Sequence, residues 1–175
     1  MNYLYLKDKK QKNMKKLVLF AFFSLCFCSI GMAQEFSLDE LMRSRKDNYP
    51  TFESLVHGKG YVLNHLESTE RSSVFKNGTN VVTYNTFYDN NSMRYKRSVA
   101  IKFETQSLEI YERLKHQVEA AAKYSKTKMR RTSTKEYLEH LYRNDEVSIH
   151  LFDVTYKDDN KPYYMIEIYS IYADN

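Results

Sequence analysis

From Tyr61 onward the apolar residues of this chain recur mainly at every second position, and one stretch alone departs from that period. A period of two sends alternate side chains to opposite faces of a strand, so most of the chain is committed to β-sheet. Strands are expected over residues 61–67, 72–76 and 80–88. A further strand is expected where Tyr95, Val99, Ile101 and Phe103 alternate with Lys96, Ser98, Lys102 and Glu104. Four more are expected over residues 127–131, 135–143, 147–156 and 162–172. Asn77-Gly78 is the strongest hairpin signal, read as a type I′ turn. Residues 89–92, Asn144-Asp145 and residues 157–160 supply the other turns. After residue 33 the chain has 14 Tyr and 6 Phe but three Gly, a composition that favours long strands.

Helical spacing occurs in two places. Ser37 is a capping residue with Glu40 three positions on, and Leu38, Leu41 and Met42 share a face. Tyr49-Pro50 is expected to interrupt that helix, because a residue before proline leaves the helical region. Phe52, Leu55 and Val56 resume the spacing over 51–57, and Gly58 and Gly60 supply the stop. The second helix follows Ser107, with Leu108, Tyr111, Leu114, Val118 and Ala121 as its apolar stripe, and ends near Tyr124. The two halves thus show one order of elements. The expected fold is α+β, two tandem αββββ units with helices packed on a mainly antiparallel sheet. The half-repeats are 37–106 and 107–172, with Gln106-Ser107 as the seam, inside a single domain over 34–175.

Residues 1–33 are of another kind. Lys15-Lys16 precedes an apolar run over 17–30, and Gly31 and Ala33 stand at −3 and −1 to Gln34. This is the pattern of a secretory signal peptide cut after Ala33, with Met14 as a possible start. The run is shorter than the ~20 residues a spanning helix needs, so no transmembrane segment is expected after cleavage. Export to the periplasm or the medium is the expected localisation. Both cysteines, Cys26 and Cys28, fall in the leader, so the mature chain is expected to hold no disulfide, thiolate metal site or cysteine nucleophile. The net charge of +5 belongs to the leader too. Residues 34–175 carry 21 basic and 21 acidic residues, which argues against a nucleic-acid binder working through a global positive field.

The order and length of elements from Ser37 to Tyr172 resemble those of β-lactamase inhibitor proteins, which are secreted and built from two tandem helix–loop–helix plus four-strand units. The resemblance implies target binding through a concave sheet face. The chain also resembles uncharacterised small secreted bacterial proteins with tandem α/β repeats. It departs from the inhibitors in lacking cysteine after residue 33.

Catalytic and metal motifs are sparse. There is no Gly-x-Ser-x-Gly, Ser-x-x-Lys or glycine-rich phosphate loop, so no catalytic residue, metal ligand or cofactor is assigned. His140 and His150 would face each other if the turn between them made paired positions sum to about 290, and a one-residue slip would separate them. Two surface features carry the functional reading. Lys123, Lys126, Lys128, Arg130, Arg131 and Lys135 form a cation cluster suited to an anionic protein or polysaccharide outside the cytoplasm. Tyr163, Met165, Glu167, Tyr169 and Ile171 share one face of the last strand, whereas Tyr164, Ile166, Ile168 and Tyr172 share the other. Glu167 marks the first face as the wet one. The expected binding residues are therefore Tyr163, Glu167, Tyr169, Lys128, Arg130 and Arg131. The expected function is a non-enzymatic binding or inhibitor-like module with a Tyr-rich sheet face. The alternative is a small extracytoplasmic hydrolase of unfamiliar type.

Overall fold

The structure, a computed structural model, describes residues 35–89, 96–156 and 162–170. The leader, the turns around 90–92 and 157–160, and Ile171 and Tyr172 lie outside the described residues. Among these residues three helices, α1 (Leu38–Ser44), α2 (Tyr49–Gly58) and α3 (Leu108–Ala121), accompany eight strands. These are β1 (Val62–Leu63), β2 (Ser72–Asn77), β3 (Asn80–Asp89), β4 (Lys96–Thr105), β5 (Lys123–Arg131), β6 (Lys135–Arg143), β7 (Val147–Tyr156) and β8 (Pro162–Ser170). The strands form one sheet in the order β1-β2-β3-β4-β8-β7-β6-β5, and every neighbouring pair is antiparallel.

That sheet overturns the tandem αββββ reading. The last strands of the two expected half-repeats, β4 and β8, hydrogen-bond to each other, with Ile101 opposite Ile168 and Phe103 opposite Ile166. As separate units, each half would leave one of these apolar strands as an unpaired edge. Joining them places Ile101, Phe103, Ile166 and Ile168 at the centre of the sheet, each no more than 1% exposed. The folding unit is the whole eight-stranded sheet, and two helices precede its first four strands where one precedes the last four.

All three helices cover one face. Ser37 caps α1 and closes a capping box with Glu40. Asn48 caps α2, so Tyr49 is its first residue, and Pro50 sits in the first turn where its missing N–H costs nothing. The expected break before Pro50 is therefore a helix start. Gly60, at φ +81°, turns the chain out of α2. Phe52 packs against Phe75 (5.7 Å between ring centroids) and Tyr84 (4.9 Å) on β2 and β3. In α3, Ile110, Tyr111, Leu114 and Val118 are buried, while Leu108 is half-exposed. Tyr111 stacks on Tyr164 of β8 at 4.7 Å, which assigns Tyr164 to the helix side as its parity predicts.

Turn geometry differs from expectation at two hairpins. Asn77 pairs with Asn80, so the central residues are Gly78 and Thr79, with Gly78 at φ +58°. Asn77-Gly78 is thus one position early for the turn. At the β6–β7 hairpin, Asn144 Oδ1 accepts from the N–H groups of Glu146 and Val147 (2.9 Å each), an Asx turn that makes Asp145 and Glu146 central.

Candidate functional site

Strand parity fixes what stands on the face opposite the helices. Tyr163, Met165, Glu167 and Tyr169 of β8 project there, beside Val154, Phe152, His150 and Ser148 of β7. From β6 come Tyr137, Glu139 and Leu141, and from β5 Lys126, Lys128 and Arg130. Aromatic rings line this face. Tyr156 meets Tyr163 edge-on at 6.1 Å, Tyr137 meets Phe152 at 6.4 Å, and His150 meets Tyr169 at 5.2 Å. Lys135 Nζ lies 4.6 Å above the Tyr156 ring, a cation–π contact. Among the described residues no helix covers these side chains, yet Leu141, Phe152 and Val154 are buried, because their large neighbours pack side by side over them.

A polar cluster sits within the aromatic surface. Glu139, 5% exposed, receives the imidazole of His150 at 2.6 Å (Nδ1 to Oε1), and Nε2 of the same ring lies 3.0 Å from Ser148 Oγ. Arg130 Nη2 approaches the second carboxylate oxygen to 3.1 Å off the hydrogen-bonding line, so that oxygen accepts no hydrogen bond among the described residues. Beside them, Tyr169 donates its hydroxyl to Glu167 Oε2 at 2.6 Å. Burial raises the Tyr169 hydroxyl pKa, and the Glu167 carboxylate raises it further. Tyr163 is pushed up to about 12 by burial, with Glu104 adding to the effect. Both phenols are therefore neutral donors at physiological pH.

The structure brings Tyr163, Glu167 and Tyr169 together and sets Lys128 and Arg130 on the same face. β8 and β5 are three strand spacings apart, roughly 14 Å. Arg131 has the opposite parity and pairs with Glu136 on the helix side at 3.3 Å, away from the rest of the expected set. His140 and His150 are likewise on opposite faces: the Asx turn makes paired positions sum to 291, and His140 faces Leu151. No group of three or more His, Cys, Asp or Glu suited to a metal ion occurs among the described residues.

Sequence reasoning missed Ser148, His150 and Glu139 as a group. Ser148-x-His150 is visible as a same-face pair, but Glu139 joins it only once the β6–β7 register is known. The connectivity Ser–His–Glu is that of a nucleophile relay. The surroundings do not complete it. β7 is paired on both flanks, so the backbone beside Ser148 has no free N–H pair to hold an oxyanion. Surface hollows lined by described residues lie elsewhere. One, of about 240 Å³, opens beside Phe87, Ser98 and Tyr169. Another, of about 700 Å³, lies between Glu119, Lys123 and Arg143. Neither is lined by the Ser–His–Glu group. Among the described residues, no helix is long and apolar enough to cross a membrane. Compared with protein-family models, curated proteins and solved structures, the chain matches none.

Proposed function

We propose that this is an exported, non-enzymatic recognition module, inhibitor-like in the sense that it works by occupying a partner through its helix-free sheet face. One observation carries the reading: a half-buried aromatic surface of Tyr137, Tyr156, Tyr163 and Tyr169, packed around the buried Phe152, faces away from the three described helices. Tyrosine offers large contact area for few rotors and keeps a polar tip, which is what protein interfaces use as anchors. The cations of β5 border that surface and favour a partner of negative charge. Replacing Tyr163 or Tyr169 by Ala is expected to weaken a captured partner by ~1–2 kcal/mol with little loss of stability. Replacing Tyr164, which stacks on Tyr111, is expected to lower stability by ~2 kcal/mol or more and leave binding to folded protein unchanged. Calorimetric titration together with thermal melts of the three variants reads both effects. Equal losses of affinity at all three positions would remove the assignment of the face.

Export rests on the leader pattern. Secreted material is expected to begin at Gln34, as read by N-terminal sequencing after removal of any pyroglutamate. Recovery of the intact chain from the cytosol would end this part of the reading.

The alternative, a small extracytoplasmic hydrolase, draws on the Ser148–His150–Glu139 chain of contacts. It requires turnover of an activated ester that disappears in Ser148→Ala. The recognition module requires no such turnover.

A further inference from the structure

β5 differs from every other strand. All nine of its residues are exposed, and among the described residues it is an edge that pairs with β6 alone. The opposite edge, β1, is two residues long. A long exposed edge presents a row of unpaired N–H and C=O groups, and proteins ordinarily shorten or cover such edges.

The groups that point outward can be assigned. Thr132 N–H donates to Lys135 C=O at 2.8 Å, so position 132 faces β6. Backbone direction alternates along a strand, so Arg130, Lys128 and Lys126 also turn their amides toward β6. Thr127, Met129 and Arg131 turn theirs to solvent.

Side chains on this edge are sorted by face. On the helix-free side stand Lys123, Lys126, Lys128 and Arg130 from β5, with Lys135 and Arg143 from β6. The one acid on that side of the hairpin is Glu139, already engaged with His150 and Arg130. Lys126 and Lys128 are close enough that repulsion from Lys128 lowers the Lys126 pKa, with some loss of hydration adding to the shift. Toward the helix side, the same strand exposes Tyr124 (57%) and Met129 (63%), two of the largest exposed apolar side chains among the described residues.

From this we propose that β5 accepts an extended acidic segment of a partner protein as a ninth strand, with acidic and apolar residues alternating along it. The outward amides of Thr127, Met129 and Arg131 would carry the backbone bonds. Acidic side chains would fall beside Lys126 and Lys128, and apolar ones beside Met129 and Tyr124. A second copy of this chain is disfavoured as the occupant, because β5 against β5 brings like charges together. The proposal rests on the recognition reading and names the chemistry of the partner.

The probe is a capped nine-residue peptide of alternating Glu and Val. Its control has the same composition with the acids and valines in two blocks. The alternating peptide is expected to bind about tenfold more tightly than the control, with new hydrogen-exchange protection at the amides of Thr127, Met129 and Arg131. Met129→Pro removes an outward amide that β6 does not use, a position where an edge strand tolerates proline. It is expected to lower affinity about tenfold with the melting temperature nearly kept. The double variant Lys126→Glu/Lys128→Glu is expected to lower affinity at least as much without altering the backbone.

Equal affinity for the two peptides, absence of peptide binding, or a sulfated polysaccharide that binds without sensing Met129→Pro would each overturn strand addition. A β5-mediated dimer in sedimentation would do the same. If Tyr163→Ala and Tyr169→Ala weaken a captured partner while Met129→Pro does not, the edge proposal fails and the recognition reading stands. If the edge variants alone weaken it, the aromatic face is not the contact surface.

Discussion

Phe103→Ala is expected to cost ~3–5 kcal/mol in denaturant unfolding at neutral pH, a large share of the stability of a domain this size. Phe103 lies on β4, the strand that joins the two halves of the sheet, and is 1% exposed. Its cross-strand neighbours are Val82 on β3 and Ile166 on β8. The Phe36 ring stands edge-on above it at 5.8 Å, and Phe36 in turn packs on Tyr61. Truncation therefore opens a hole bounded by two strands and the segment leading into α1, and these walls have little freedom to collapse. Leu114→Ala on α3 is the matched control, a fully buried residue in the helix layer, with an expected cost of ~2–4 kcal/mol. A Phe103→Ala loss below about 1 kcal/mol would mean that β4 and β8 do not form the centre of the sheet.

Most of what depends on local periodicity was legible in the sequence, although the strand expected over 61–67 is only Val62–Leu63 and Leu108 of the expected α3 stripe is exposed. Alternation in residues 162–170 separates Tyr163, Glu167 and Tyr169 from Tyr164 and Ile166, and the structure puts the two sets on opposite faces. Spacing in α3 likewise places Leu114 and Val118 inside. Whatever depends on pairing was not legible. Nothing in the repeated order of elements says that β4 meets β8, and the tandem expectation failed there. The β6–β7 register turned on the side chain of Asn144, which caps the turn from its first position and shifts the pairing by one. That single residue step separates His140 from His150 and brings Glu139 to His150 instead. The buried Glu139 cluster was therefore hidden by register, although its residue types are common ones.

Glu40 carries the second large effect. Its carboxylate serves two partners. One oxygen accepts the backbone N–H of Ser37 at 2.9 Å and so closes the α1 capping box, while the other lies 2.9 Å from Lys59 Nζ. Lys59 is 7% exposed at the end of α2, with its ammonium 5.1 Å from the Phe36 ring and 3.1 Å from the Glu35 carbonyl oxygen. Burial alone would raise the Glu40 pKa, but the Ser37 amide and the Lys59 ammonium outweigh it and hold the carboxyl below its ordinary 4.5. Glu40→Ala removes the carboxylate half of the capping box, keeping the bond from the residue-40 amide to Ser37 Oγ, and leaves a buried cation with one carbonyl and one ring for company. The expected cost is ~2–4 kcal/mol near pH 7, allowing for the partial exposure of Glu40 itself. Because the folded pKa is the lower one, this stabilisation is fully present above the unfolded value of about 4.5. It is lost as the pH falls through the folded value. Urea melts at successive pH values should show wild type and Glu40→Ala converging in acid and separating toward neutrality. Adding Lys59→Met to Glu40→Ala should recover part of the loss, since it removes the stranded charge and keeps most of the volume. A double variant no more stable than Glu40→Ala would assign the effect to the Glu40 bond with the Ser37 amide alone and leave the Lys59 ion pair without energetic weight.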